Sequence, residues 1–217
     1  MKKNLNKVAI IDYKMANMYS VKNACSVVGL DSFITSDYRD LFEAKAAILP
    51  GVGAFRSAME NLNRFKLINA IRNFIDSGKP FMGVCLGMQL LFSESEEFIS
   101  SRGLNILKGK VIKFSNNNHS VKVPHIGWNR ILRNENKKIF WDNTPLSNIP
   151  NGQFMYFVHS YYVKPEDENI ILSHTNYGGI EYCSSLKKDN IFATQFHPEK
   201  SGKFGIEIYK NWKNLIN

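Results

Sequence analysis

The sequence predicts an α/β fold: a central, mostly parallel mixed sheet with helices on both faces and antiparallel additions in the C-terminal third. Three observations carry this. Short apolar runs alternate with helical periodicity through the first two-thirds of the chain. Strand-like runs then follow one another with few helices between. With 44% hydrophobic residues among 217, the chain can bury a sizeable core and is too apolar for a disordered segment. No break in composition demands a second unit, so a single domain over residues 1–217 is expected.

Val8 to Ile11 is a first apolar run. Met18 to Val28 has helical spacing and stops at Gly29. Ser32 to Thr35 and Ala46 to Leu49 read as strands, the latter halted by Pro50-Gly51. Leu67, Ile68, Ile71, Phe74 and Ile75 mark one face of a helix that ends at Gly78. Pro80 to Val84 is a fourth strand, and Leu86 to Phe92 looks helical. Later strands are expected at Val111 to Phe114, Phe154 to Val158, Ile170 to Thr175, Glu181 to Ser185 and Ile191 to Gln195, before a helix from Phe204 to Ile216. Asn134 to Gly152 is the most loop-like stretch, and Asn116 to Asn118 a local polar turn.

Composition excludes several classes. Phe81 to Phe92, the longest mostly apolar stretch, falls short of the roughly 18 residues of a membrane span. Met1 to Lys7 lacks the apolar core of a signal peptide. The net charge of +9 reads as surface lysine or as an anionic partner. The lysines are scattered, with no basic stripe or aromatic interleaving for nucleic acid. Three widely spaced cysteines, Cys25, Cys85 and Cys183, give neither a zinc motif nor a disulfide framework and suit a reducing cytoplasm. Neither a metal nor a cofactor is expected. Cys25 and Cys183 sit at core spacing in a helix and a strand.

Cys85 differs. In Pro80-Phe81-Met82-Gly83-Val84-Cys85-Leu86-Gly87-Met88-Gln89 an apolar strand runs through Gly-x-Cys-x-Gly into a helix. That is the pattern of a nucleophile elbow, whose glycines permit a sharp turn that exposes the sulfur at the carboxyl end of the sheet. The helix start favours a thiolate, and the Leu86 N–H points where an oxyanion would form. The same glycines also read as tight packing around a core cysteine, so a base is needed to decide. Of His119, His125, His159, His174 and His197, the last follows a strand and stands in His197-Pro198-Glu199. In an extended segment Glu199 projects to the same side, where it would fix the tautomer of His197. Pro50-Gly51-Val52-Gly53-Ala54-Phe55 follows another strand and offers a second oxyanion donor. It is no P-loop, since no Gly-Lys-Ser/Thr follows.

The elbow and His-Pro-Glu resemble the class I (triad) glutamine amidotransferases, which have a flavodoxin-like α/β fold. The Pro50 to Phe55 loop, Pro124-His125-Ile126-Gly127-Trp128-Asn129, Tyr156-Phe157-Val158-His159-Ser160-Tyr161 and Gln195 to Ser201 narrow the resemblance to the glutaminase subunits of imidazole glycerol phosphate synthases, over nearly the whole chain. The resemblance implies that Cys85 attacks the side-chain amide of L-glutamine, His197 moves the proton and Glu199 steadies it. Leu86 and the Gly51-Val52-Gly53 loop resemble the oxyanion hole, whose central peptide in the family turns to donate only in the active state. Gln89, Ser160, Tyr161 and Glu97 match positions that hold glutamine. Ammonia would pass to a (β/α)8-barrel cyclase subunit of the HisF type, forming a heterodimer for histidine biosynthesis. Asn17, Trp128, Tyr156 and Lys200 match positions facing the barrel. Core packing for Trp128 and plain solvation for Lys200 are the competing readings, and His159 reads as a packing or interface histidine.

One departure stands out. The family's Asp-Tyr-Gly-x-Gly-Asn reads Asp12-Tyr13-Lys14-Met15-Ala16-Asn17 here. A positive φ at either replaced glycine would cost about 1 kcal/mol. The change keeps a second partner in view, an N-acetyl sugar amidotransferase of surface-glycan synthesis supplied with ammonia by a related glutaminase. A docking module with a relic site is disfavoured by the intact triad. A γ-glutamyl peptidase is disfavoured by the Pro124 to Asn129 and Tyr156 to Tyr161 motifs.

Overall fold

The computed structural model describes residues 7–97, 100–115, 122–133 and 141–216. In chain order its elements are β1 (Val8–Ile11), α1 (Met18–Val27), β2 (Ser32–Thr35), α2 (Tyr38–Glu43), β3 (Ala46–Gly51), α3 (Phe55–Arg64), α4 (Leu67–Asp76), β4 (Phe81–Cys85) and α5 (Leu86–Leu90). Then come β5 (Glu94–Ser95), β6 (Ser101–Arg102), β7 (Gly109–Lys113), β8 (His125–Arg133), β9 (Gln153–His159), β10 (Tyr161–Pro165), β11 (Ile171–Tyr177), β12 (Ile180–Lys188), β13 (Ile191–Thr194) and α6 (Gly202–Lys213).

The main sheet has nine strands in the order β2-β1-β3-β4-β13-β12-β11-β8-β9. From β2 to β13 the pairs are parallel, and from β13 to β9 they are antiparallel. This is the mixed α/β sheet that the alternation of strands and helices predicts. Two features differ from the sequence reading. The strand expected at Val111 to Phe114 belongs to a separate four-stranded sheet, β10-β7-β5-β6. The motif around Trp128, to which the sequence reading assigns no element, opens the nine-residue strand β8.

The parallel strands are buried on both faces, which explains their unbroken apolar runs. Successive side chains point to opposite faces. Ala9, Ile11, Ala47 and Leu49 join one core with α3 and α4. Val8, Ile10, Ala46 and Ile48 join the other with α1 and α6. Cys25 and Cys183 are buried in these cores, as their spacing predicts, and burial pushes the Cys25 thiol up to about 12. Among the described residues no helix is long and apolar enough to cross a membrane.

Two glycines set the junction of β4 and α5. A Cβ on Gly87 would strike the Leu49 carbonyl oxygen of β3, and one on Gly83 would crowd the Gly87 carbonyl. The helix therefore lies backbone to backbone on the strand ends. Gly87→Ala is expected to lower stability by about 2 kcal/mol in urea unfolding, because overpacking there can be relieved only by moving backbone; a loss below about 0.5 kcal/mol would show that the junction yields freely.

Candidate active site

Cys85 ends β4 and precedes α5 with φ 55° and ψ −111°. A non-glycine residue rarely takes this backbone, and its retention here is the strain of an elbow. It leaves Leu86 as the first residue of α5, where no earlier helical carbonyl can claim its N–H. With only five residues, α5 contributes free N–H groups more than the dipole expected of a longer helix.

His197 and Glu199 lie at the end of β13's extension. His197 Nδ1 is 2.7 Å from Glu199 Oε1, and both side chains are almost fully buried. The segment is not extended as expected: Pro198–Lys200 forms one 3-10 turn, and the turn brings the carboxylate back to the ring. Since the carboxylate accepts, Nδ1 carries the proton and Nε2 is left for Cys85. Nε2 makes no hydrogen bond of good geometry to a protein atom, so its link with Cys85 is electrostatic first and a loose hydrogen bond second. Burial opposes charge on the ring, but the neighbouring Cys85 sulfur and then Glu199 outweigh it and push the His197 pKa up to about 10. The sulfur on one side and the carboxylate on the other thus favour the charged ring. His197 is held from outside the triad as well. Its N–H donates to the Tyr156 carbonyl of β9, and Ser201 Oγ donates to the His197 carbonyl.

A cleft of about 320 Å³ opens beside the sulfur, lined by Val52, Leu86, Gln89, Glu97, Ser160 and Tyr161 among others. The structure thus gathers every residue expected to hold the substrate. Gln89 spends both amide hydrogens inside the protein, on the Tyr161 carbonyl (2.8 Å) and Gln195 Oε1 (3.0 Å). Only its carbonyl oxygen is left for a donor in the cleft. One oxygen of Glu97 accepts from the Phe55 N–H at the start of α3, a helix whose own N-cap, Ala54, supplies no side-chain bond. The Ser160 carbonyl accepts from the Phe114 N–H.

The N–H expected as second oxyanion donor is engaged elsewhere. The Val52 N–H donates to the Met15 carbonyl at 2.8 Å, in the loop that departs from the family pattern. Lys14 takes φ 68° there and bonds Asp12 through both its N–H and its Nζ, whereas Ala16 has no positive φ. Of the two replaced glycines, only the first stood where an unusual backbone is required.

Trp128 is 55% exposed, so core packing does not explain it. It lies opposite Tyr156 on the β8–β9 ribbon, and the Lys200 ammonium sits over the Tyr156 ring. Ile126, Val158, Arg130 and Phe154 share that face by strand alternation. Asn17 is exposed as the N-cap of α1, a helix that packs against the Pro198–Lys200 turn. His119 lies outside the described residues.

Sequence reasoning missed a polar relay behind the cleft. The Tyr161 carbonyl can only accept, so His159 Nδ1 donates to it at 2.8 Å. His159 Nε2 then accepts from the Tyr182 hydroxyl, which accepts in turn from His125 Nδ1, each at 3.2 Å. His159 is therefore a buried positioning group and no second base. Burial pushes it down to about 3, and His125 down to about 4. Strand pairing of His125 with His159 could have been guessed from the two motifs, but nothing local marks Tyr182. No group of three or more His, Cys, Asp or Glu among the described residues is arranged to hold a metal.

The low pKa of His159 makes a measurable contribution to acid lability. The unfolded chain takes up this proton near the ordinary value of 6.5, so stability is intact above that and falls as pH drops toward 3. The slope from one such group reaches about 1.4 kcal/mol per pH unit. His159→Gln is expected to be less stable at pH 7 but to lose that share of the slope between pH 7 and 5 in urea titrations. An unchanged slope would mean that the ring is already charged or solvated.

The model of the glutamine amidotransferase class-I family matches residues 9–213. The imidazole glycerol phosphate synthase subunit HisH of Aquifex aeolicus is 47% identical over 208 residues, covering 95% of this chain and 96% of that protein. The protein of the same name from Caldanaerobacter subterraneus subsp. tengcongensis is 44% identical over 209 residues, covering 96% and 98%. A solved structure of PurLQS from Thermotoga maritima matches with a TM-score of 0.72 over 97% of this chain and 99% of that one, at 17% identity, a likeness of fold. The chain belongs to the class-I glutamine amidotransferase family and, within it, to the HisH subunits of imidazole glycerol phosphate synthase.

Proposed function

We propose that the chain is a glutaminase subunit that hydrolyses L-glutamine to glutamate and ammonia and delivers the ammonia to a (β/α)8-barrel cyclase partner in histidine biosynthesis. The observation that carries the reading is the buried Cys85–His197–Glu199 set, of which Cys85 lines the cleft. Cys85 attacks the side-chain amide carbon, and the carbonyl oxygen takes the negative charge beside the Leu86 N–H. Imidazolium His197 gives its Nε2 proton to the leaving nitrogen, which departs as ammonia. Water, deprotonated by the now neutral ring, hydrolyses the thioester and frees the sulfur. Glu199 keeps the proton on Nδ1 throughout.

The free chain is set for low activity. Its Val52 N–H is engaged by Met15, so a full oxyanion hole requires that peptide to turn. A partner docked on the exposed Ile126, Trp128 and Phe154 face would touch the ribbon whose Tyr156 carbonyl holds His197. Released ammonia in water becomes mostly ammonium, which is no nucleophile, so direct transfer to the partner preserves its reactivity.

Cys85→Ala is expected to abolish glutamate production by the chain mixed with its cognate cyclase barrel while leaving co-elution intact. Turnover that survives the substitution would remove the nucleophile. Trp128→Ala is expected to weaken barrel binding by about 2 kcal/mol in titration calorimetry. Unchanged affinity there, or capture of an N-acetyl sugar amidotransferase in place of the barrel, would move the interface or the pathway elsewhere.

A further inference from the structure

We propose that Gln195 is a further catalytic residue, whose side-chain amide N–H stabilises the ionised Cys85 sulfur. The inference rests on the reading of Cys85 as nucleophile and adds a group that neither the triad nor the oxyanion hole contains.

Strand register brings the two residues together. β13 runs parallel to β4 with Thr194 beside Val84, so Gln195 and Cys85 leave the sheet side by side. Gln195 is fully buried, and its Nε2 lies 3.6 Å from the Cys85 sulfur, the range of an N–H···S contact.

The direction of this amide follows from chemistry around it. The Tyr161 carbonyl is an obligate acceptor and is fixed from behind by the His159 Nδ1–H. It therefore draws the NH2 end of Gln89 toward itself. The second hydrogen of that NH2 meets Gln195 Oε1. With its oxygen so engaged, Gln195 turns its own NH2 to the sulfur. The opposite flip would set an amide oxygen against the sulfur and NH2 against NH2.

Besides His197, a backbone carbonyl also neighbours the sulfur and pulls the opposite way. The Val158 carbonyl, 3.8 Å off, can only accept, so it favours the thiol. An amide N–H only donates, so it favours the thiolate, and its contact is the shorter. Being neutral, the amide also leaves the sulfur's proton to His197. No bond is made or broken at Gln195. It lowers the energy of the same sulfur anion as nucleophile and, when the thioester breaks, as leaving group.

The test is the pH dependence of iodoacetamide alkylation of Cys85, which needs no partner and no glutamine. Cys25 and Cys183 are buried, with thiols that burial holds well above the ordinary range, so the reaction reports Cys85. Gln195→Met keeps bulk and loses the donor. It is expected to raise the alkylation midpoint by about one pH unit, with Gln195→Glu raising it further. A midpoint within about 0.2 unit of the parent, in a chain of unchanged melting temperature, overturns the proposal. Should Gln195→Met fail to fold, the side-chain amide protons of Gln195 are followed by NMR in the unaltered chain. Their titration with the alkylation midpoint supports the contact, and immobile resonances refute it. Failure of the nucleophile reading looks different: Cys85→Ala would still turn over glutamine in the complex.

Discussion

The contact between Gly87 and the Leu49 carbonyl constrains everything nearby. It lets α5 start directly on top of β3, with no loop between β4 and the helix. A chain that must reverse from strand to helix within one residue leaves that residue little choice of backbone, and Cys85 takes the unusual φ that results. The same geometry lifts the sulfur clear of the sheet, frees the Leu86 N–H and hands Gln89, one helical turn on, to the wall of the cleft. Remove the close approach and the proposed nucleophile, oxyanion donor and substrate contact all move together.

The remaining groups are delivered by neighbouring strands rather than by neighbouring sequence. β3, β4 and β13 lie side by side, with Gly51 beside Cys85 and Thr194 beside Val84. Loops leaving three adjacent strand ends therefore bring Val52, Cys85, Gln195 and His197 to one place, as open α/β sheets do at their carboxyl edges. β9 reaches the site from the far edge of the same sheet. Its Tyr156 carbonyl holds His197, and its Val158 carbonyl meets the sulfur, while Tyr156 and Val158 side chains lie on the exposed ribbon face. One strand thus touches the catalytic pair with its backbone and the outside with its side chains. A load on the ribbon is one residue and one hydrogen bond away from His197.

Much of this was legible in the residues. The apolar runs of β1, β3 and β4 are long enough and bounded enough to declare buried parallel strands, and Gly-x-Cys-x-Gly followed far downstream by His-Pro-Glu declares the chemistry. What stayed hidden depends on register. β8 alternates buried and exposed residues from His125 to Ile131, yet its sequence shows no apolar run, because one face carries Trp128 and Ile126 into solvent. Gln195 reads as the last residue of a strand, and only the pairing of β13 with β4 turns it to the sulfur. Tyr182 carries no local mark at all. It matters because β11 and β12 place it between two histidines of other strands. Pattern reports what one segment wants, whereas these contacts are facts about pairs of segments.

The Asp12 to Asn17 loop shows how a departure from a family pattern is absorbed. A side chain held at positive φ costs on the order of 1–2 kcal/mol relative to glycine, and Lys14 sits at 68°. Asp12 offsets part of that by accepting from both the Lys14 N–H and its ammonium, although the exposed ion pair adds little by itself. The loop consequently keeps a shape that presents the Met15 carbonyl to Val52, with the Met15 side chain packed close to Gly53. Under the proposed function this is the brake on the oxyanion hole, and its size matters. A single backbone hydrogen bond nets about 1 kcal/mol, so the turned peptide is disfavoured by roughly one power of ten for each 1.4 kcal/mol rather than forbidden. A partner needs to bind the turned form better by only that margin to release it, and Gly53, already at φ 98°, gives the peptide a neighbour that tolerates the rotation. The substitution at Lys14 therefore leaves the switch in place and acts on the stiffness of its seat.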